Sequence, residues 1–287
     1  MTAPLIERLQ AIAASRPPAR RPVARRRYRS LFLSDLHLGA TGCQAERVLD
    51  FLDRHEAERI YLVGDVFDTW RAAGPVWSPA HDAILQLLMG RLREGSRIIY
   101  IPGNHDDFFR RHYGTYFERI EVLEQTFHEA ADGRRYLVLH GDCCDLVVQH
   151  ARWLSQLGSQ LCGLARGLSA GVNRARRRLG LGEGNLIERI LIGALSLNRL
   201  GDRYEQRLVA LGRAARVEGV ICGHFHQPAL HDRFGLVYAN CGDWLENCTA
   251  LAEDHDGSLH LIRWKRPYHA PAAESAPEAE ETPTLAT

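Results

Sequence analysis

The chain carries five short polar blocks, and an apolar run of three to five residues precedes each of them. Leu31-Phe32-Leu33 leads to Asp35-Leu36-His37, and Ile60-Tyr61-Leu62-Val63 leads to Gly64-Asp65-Val66-Phe67-Asp68. Ile98-Ile99-Tyr100-Ile101 leads to Gly103-Asn104-His105-Asp106, and Tyr136-Leu137-Val138-Leu139 to His140-Gly141-Asp142. Val220-Ile221-Cys222 leads to Gly223-His224-Phe225-His226. Short runs rich in β-branched and aromatic residues and closed by glycine predict buried strands. Polar residues just past the C-terminal ends of such strands line the usual ligand crevice of an α/β sheet.

Asp35, His37, Asp65, Asn104, His140, His224 and His226 together offer imidazoles, carboxylates and one amide, and no thiolate. That mixture of N and O donors suits manganese, iron or zinc in open sites better than a closed structural zinc. Seven donors are too many for one ion and fit two that share a bridge. Two ions about 3.5–4 Å apart can activate a water and hold the oxygens of a phosphoryl centre in line. Each block alone has a plainer reading. An Asp before a helix is an N-cap, Gly-Asn is a turn, and a histidine after a strand is a hydrogen-bonded loop residue. Five blocks in order, each after a strand, favour the metal reading.

Written as D-x-H, G-D-x-x-D, G-N-H-D, H-G-D and G-H-x-H, the series resembles the calcineurin-like metallophosphoesterases. It runs from residue 35 to residue 226, most of the 287-residue chain. The resemblance implies an α/β fold, a mixed β-sheet sandwich flanked by helices, with two divalent metal ions and hydrolysis of a phosphoester or diphosphate. It implies that Asp65 bridges the ions. Asp35, His37 and His226 complete one site, and Asn104, His140 and His224 the other. His105 then hydrogen-bonds the phosphoryl oxygens or protonates the leaving group, and Asp106 orients it. Asp68 and Asp142 are expected to orient neighbouring site residues, and Asp145, Arg174 and Arg177 to reach substrate.

The length fits one large domain or two small ones. Residues 1–29 are expected to lie outside the domain as a basic tail, with arginines at 16, 20, 21, 25, 26, 27 and 29. Such a tail is either solvated or in contact with anionic headgroups, each basic residue near them adding about 1 kcal/mol. Residues 30–145 alternate strand and helix, with amphipathic helices at 44–55 and 81–94. Tyr113–Glu121 reads as a connection, and Asp132-Gly133 as a hairpin turn that makes the pairing mixed. Residues 146–203 lose the strand signals and become Leu- and Arg-rich. Leu154, Leu157, Leu161, Leu164 and Leu168 fall at helical spacing beside Arg174, Arg176, Arg177 and Arg178. This insert is either a helical hairpin packed on the core or a greasy, basic cap over the metals. A helix at 204–216 and strands at 220–222, 236–239, 250–252 and 259–264 complete a domain ending at 266. Residues 267–287 are rich in Pro, Ala, Glu and Thr and are expected to be disordered.

A long helical insert between the H-G-D and G-H-x-H blocks is similar to the UDP-2,3-diacylglucosamine diphosphatase branch of the family. So is the stretch Asn240–Trp244. That branch works in lipid A synthesis, and there the insert caps acyl chains. It commonly carries Arg after the Asn of G-N-x-D, where this chain has His105, as the general family does. The resemblance thus implies a lipid-linked nucleotide as substrate, with a soluble phosphodiesterase or phosphatase as the alternative. A non-catalytic binding scaffold is disfavoured by the complete donor set. A net charge of +1 argues against a surface built for nucleic acid. No basic n-region with an apolar core opens the chain, and no apolar run approaches a membrane span. Seven scattered cysteines without a C-x-x-C pair suit a reducing compartment. The expectation is a cytoplasmic protein, peripheral on the inner membrane where the tail or insert meets lipid. Oligomeric state stays open.

Overall fold

The computed structural model describes residues 25–70, 75–114, 116–117, 120–144 and 197–264. Asp145, Arg174, Arg177, residues 146–196 of the insert and most of both tails lie outside the described residues.

Strands come first in the logic of the fold, because their two faces are both apolar. β1 (Arg26–Leu33), β2 (His55–Val63) and β3 (Arg97–Ile101) lie side by side and parallel. Leu31, Leu33, Ile60, Leu62, Ile98 and Tyr100 point to one face, and Phe32, Tyr61, Val63, Ile99 and Ile101 to the other. Burial on both faces explains why these runs are continuous rather than alternating. The first face is covered by α1 (Ala45–Arg54) and α2 (Pro79–Arg93), through Val48, Phe51 and Leu52, and Ile84, Leu85 and Leu88. Helix α2 starts on Pro79 behind Ser78, whose amide reaches His81 Nδ1 at 3.0 Å in a capping box.

Four further strands extend this sheet, in the order β12-β11-β1-β2-β3-β5-β4. They are β4 (Tyr116–Phe117), β5 (Ile120–Val122), β11 (Thr249–Glu253) and β12 (Leu259–Arg263). A second sheet, β6-β7-β8-β10-β9, stacks on its inner face. Its strands are β6 (Gln125–Glu129), β7 (Arg135–Leu139), β8 (Gly219–Cys222), β9 (Ala229–His231) and β10 (Val237–Asn240). Tyr136, Val138, Ile221 and Ala239 meet Phe32, Val63, Ile101 and Leu251 between the sheets. Leu137, Leu139, Val220 and Tyr238 face outward onto α3 (Leu197–Ala214) through Tyr204, Leu208 and Val209. The described residues thus form four layers, helix, sheet, sheet, helix, and both sheets are mixed.

Several boundaries differ from the sequence reading. Arg26–Arg29 belong to β1, not to a tail. Their charges hid a strand whose Tyr28 is buried, while Arg29 pairs with buried Glu253 at 2.5 Å and Arg27 with Glu56 at 3.1 Å. Residues 113–121 are more than a connection, since β5 pairs parallel with β3 and β4 antiparallel with β5. Helix α3 runs unbroken through Gly201, which reads as a stop but lets Phe225 approach; a Cβ there would stand 3.4 Å from that ring. β9 has too few apolar residues to signal a strand.

Glu253 ties the two sheets together. It is fully buried, receives Arg29 and the Ala131 amide at 2.8 Å, and lies 2.9 Å from His128 Nε2. His128 Nδ1 is 3.0 Å from the Tyr61 hydroxyl. Burial pushes the Glu253 carboxyl up, but its hydrogen bonds from His128 and the Ala131 amide win and hold it at about 2, against an ordinary 4.5. Its stabilisation is therefore complete above pH 4.5 and is lost as pH falls towards 2. Glu253→Gln should cost about 3 kcal/mol at neutral pH, because it leaves the Arg29 charge without its buried carboxylate and with only the Glu129 carbonyl as partner. Urea unfolding at pH 7 and pH 3 checks this: the gap between variant and parent should narrow at the lower pH.

Candidate metal centre and active site

All five polar blocks emerge at one edge of the sandwich, where the parallel strands of both sheets end. The chain must turn sharply there. Asp35, His37, Asp65, His224 and His226 have φ of +53°, +46°, +51°, +65° and +56°. Non-glycine residues in this left-handed region cost about 1–3 kcal/mol each and gather at functional sites. Backbone hydrogen bonds hold the kinks: Asp35 N to Gly64 O at 3.0 Å, His37 N to Asp65 O at 2.9 Å and Leu38 N to Val66 O at 2.8 Å.

The kinks aim the side chains inward. Asp35, His37 and His226 form one cluster of donors, Asp65, His140 and His224 a second, and His37, Asp65 and His105 a third group that links them. Asp35 Oδ1 lies 3.1 Å from His226 Nε2 and 3.8 Å from His37 Nε2. Asp65 Oδ2 stands between the clusters, 3.4 Å from His140 Nε2 and 3.9 Å from His37 Nε2. Asn104 is buried, and its Oδ1 has no hydrogen-bond partner; neither has His140 Nε2 nor Asp35 Oδ1. Buried polar atoms left unpaired are costly, so three such atoms among these donors fit divalent cations that would satisfy them. The other oxygens are taken by backbone: Asp65 Oδ1 accepts His105 N at 2.7 Å, and Asp35 Oδ2 accepts His224 N at 2.9 Å. His140 Nδ1 lies 3.0 Å from Val63 O, which leaves Nε2 for a ligand.

Burial and the neighbouring carboxylates act differently on the two halves of the site. Burial alone would lower His140, but the Asp65 and Asp35 charges raise it to about 10. Burial also acts on His37 and there prevails over the same carboxylates, leaving it at about 4. Burial opposes ionisation of Asp65 too, yet His140, His105 and His37 hold its carboxyl far below the usual range.

His105 stands at the mouth. Its ring packs edge-on to His37, with centroids 4.6 Å apart, and stacks on the indole of Trp70 at 4.0 Å and 21°. Asp68 Oδ1 lies 3.3 Å from His105 Nδ1, and Thr69 Oγ1 donates to His105 O at 2.5 Å. Asp106 does not face His105, contrary to the sequence reading. It is fully buried and accepts Val66 N at 2.7 Å, Gly103 N at 2.6 Å and the Tyr100 hydroxyl at 2.6 Å. It stitches the second and third polar blocks together, and orienting His105 falls to Asp68. Burial first, and Asp65 next, lift the Asp106 carboxyl to about 6. Asp142 also departs from its expected role: it pairs with Arg110 at 2.6 Å rather than touching a donor.

Four contributors escape a reading by strand and block. Asn240 Nδ2 donates to Gly223 O at 2.9 Å, and Asn247 Nδ2 to His226 O at 2.8 Å. Asp243 Oδ1 accepts the amides of Leu245, Glu246 and Asn247. These three fix the loop that carries His224 and His226. Trp70 is the fourth; its only signal is a large aromatic two residues past Asp68. Gly103 matters for space. A Cβ on it would meet Asp65 Oδ1 and would lie 2.7 Å from His140 Nε2. Gly103→Ala should therefore lower metal content and cut turnover by about 10², with little change in far-ultraviolet dichroism. Unchanged metal content by elemental analysis would count against these contacts.

Nitrogen and oxygen donors at the ends of stacked sheets, with a histidine at the rim, define a metal-dependent phosphoesterase. A model of the calcineurin-like phosphoesterase family matches residues 28–228, and the chain belongs to that family. The protein named UDP-2,3-diacylglucosamine hydrolase in Ralstonia nicotianae is 28% identical over 230 residues, covering 74% of this chain and 82% of that protein. Its namesake in Cellvibrio japonicus is 28% identical over 215 residues, covering 70% and 83%. Among solved structures, a Vps29 single mutant from Entamoeba histolytica aligns over 82% of this chain and 97% of its own at 11% identity and a TM-score of 0.40. Among the described residues, no helix is long and apolar enough to cross a membrane.

Proposed function

We propose that this phosphoesterase holds two divalent ions, manganese above all, and hydrolyses the diphosphate of a lipid-linked nucleotide of the UDP-2,3-diacylglucosamine kind. The observation that carries the reading is the pair of donor clusters joined at Asp65, in a chain similar to proteins of that name over most of its length. Bound divalent ions polarise phosphoryl oxygens and lower the pKa of water. The chain's own residues do the rest. Asp35, His37 and His226 would hold one ion, and Asn104, His140 and His224 the other, with Asp65 serving both. Asp68 fixes the His105 ring, so that Nε2 faces the phosphoryl oxygens or the leaving oxygen.

Residues 146–196 of the insert supply the acyl contact in this reading. Its apolar positions Leu154, Leu157, Leu161 and Leu164 and its basic Arg174 and Arg177 match a substrate with chains and phosphates. Such a cap, with the basic arginines before β1, also gives the protein a route to the cytoplasmic face of an anionic membrane.

One observation favours a second reading. His105, where the lipid branch commonly has Arg, suits protonation of an alkoxide leaving group in a simple phosphodiester. Manganese-loaded protein assayed against UDP-2,3-diacylglucosamine, its deacylated analogue and bis-p-nitrophenyl phosphate separates the two. The proposal expects the acylated compound to have the highest kcat/KM. Equal rates on acylated and deacylated compounds would transfer the assignment to a diesterase without lipid preference.

A further inference from the structure

We infer that a cavity beside His226 seats the nucleoside half of the substrate, an inference that rests on the lipid-linked nucleotide reading above. The cavity has a volume of about 610 Å³, within the range of roughly 300–1,000 Å³ usual for small-molecule sites. Its place follows from the topology. β11 is antiparallel to both β1 and β12, so β12 runs parallel to β1. Arg263, at the end of β12, therefore emerges at the same edge as Asp35. Gln227 follows His226 directly from the other sheet. The turn through Glu246 closes the third side and is fastened to the His226 carbonyl by Asn247. His226, a candidate metal donor, itself lines this cavity.

The lining selects among the parts of such a substrate. Asp243 is spent on its own turn. Among the described residues, neither Glu246 nor Arg263 forms an ion pair, and both side chains, with Gln227, are exposed to the cavity. An acyl chain would strip water from these groups and return no hydrogen bond. A phosphate would meet the Glu246 carboxylate. A nucleoside is neutral and suits both charges. Its ribose hydroxyls donate to a carboxylate, and the carbonyls of a pyrimidine accept from Arg263 and Gln227. Pro228 and Leu245 offer a narrow apolar wall for the flat base.

Calorimetric titration of manganese-loaded protein with uridine monophosphate and with inorganic phosphate tests this. Uridine monophosphate should bind at least about tenfold more tightly than phosphate, since the cavity's polar groups gain partners only from the nucleoside. In the double variant Glu246→Ala, Arg263→Ala that advantage should vanish. Saturation-transfer spectra of uridine with metal-stripped protein should show ribose and uracil signals that the double variant loses. Equal affinities in the parent, or an advantage that survives the double change, would overturn the inference. If the advantage appears and is lost on substitution while the UDP-lipid is not hydrolysed, the cavity assignment stands and the lipid reading falls.

Discussion

Asp65→Ala should bring phosphoester hydrolysis down to background and empty both metal positions. Among the described residues, Asp65 is the carboxylate placed between the two clusters, within the group of His140 and His224 and within reach of His37. Its Oδ2 lies 3.4 Å from His140 Nε2 and 3.9 Å from His37 Nε2, while Oδ1 holds the His105 amide at 2.7 Å. Removing the carboxylate subtracts a negative charge from both donor clusters and frees the backbone of the neighbouring block. Asp65→Asn separates these effects. An amide oxygen can still accept from His105 N, and the volume is unchanged, but the charge that draws two cations is gone. The expected result is a folded protein with depleted metal and no turnover. Elemental analysis, turnover of bis-p-nitrophenyl phosphate and near-ultraviolet dichroism report the three quantities. An Asp65→Ala protein that keeps two ions per chain and near-normal turnover would dismiss the shared-carboxylate reading.

The position of Asp65 was legible because its surroundings are local: an apolar run, a glycine, a carboxylate. The same holds for Asp35, Asn104, His140 and His224. Strands buried on both faces leave a hydrophobic signature that no charged surface obscures. Legibility failed where structure depends on partners far along the chain. Asp106 looks like a companion of His105, its neighbour, yet its partners include the amide of Val66, 40 residues away. Asn240 stands out in the sequence only through the resemblance of its stretch and Asn247 not at all, because their task is to anchor carbonyls 17 and 21 residues distant. The arginines before Ser30 spell a solvated tail until Glu253, 224 residues beyond Arg29, is placed opposite. The left-handed φ of five candidate donors could not be read from the sequence, since aspartate and histidine enter that region more readily than most residues but do so in only a small fraction of their positions.

His105→Ala should leave the metals in place and reduce turnover by about 10²–10⁴, the range of general acid–base catalysis. His105 shares a donor group with His37 and Asp65, but the clusters built on Asp35 and on His140 each keep three donors without it, and its amide bond to Asp65 survives the change. What is lost is an imidazole fixed on three sides: Asp68 at Nδ1, the Trp70 indole on one face and the His37 ring edge-on. Burial raises the Asp68 carboxyl, but the hydrogen bond and charge of His105 outweigh it and keep the group ionised, which holds the ring in one orientation. Asp68→Asn should therefore lose less than His105→Ala, because the ring remains but turns more freely. The leaving group distinguishes the two roles open to Nε2. A p-nitrophenolate departs without needing a proton, whereas an aliphatic alcohol does not. If His105 donates that proton, its removal should cost much less on p-nitrophenyl esters than on alkyl esters. If the cost is the same on both, His105 instead steadies the phosphoryl oxygens, and the loss should then track the affinity for inorganic phosphate measured on the same variants.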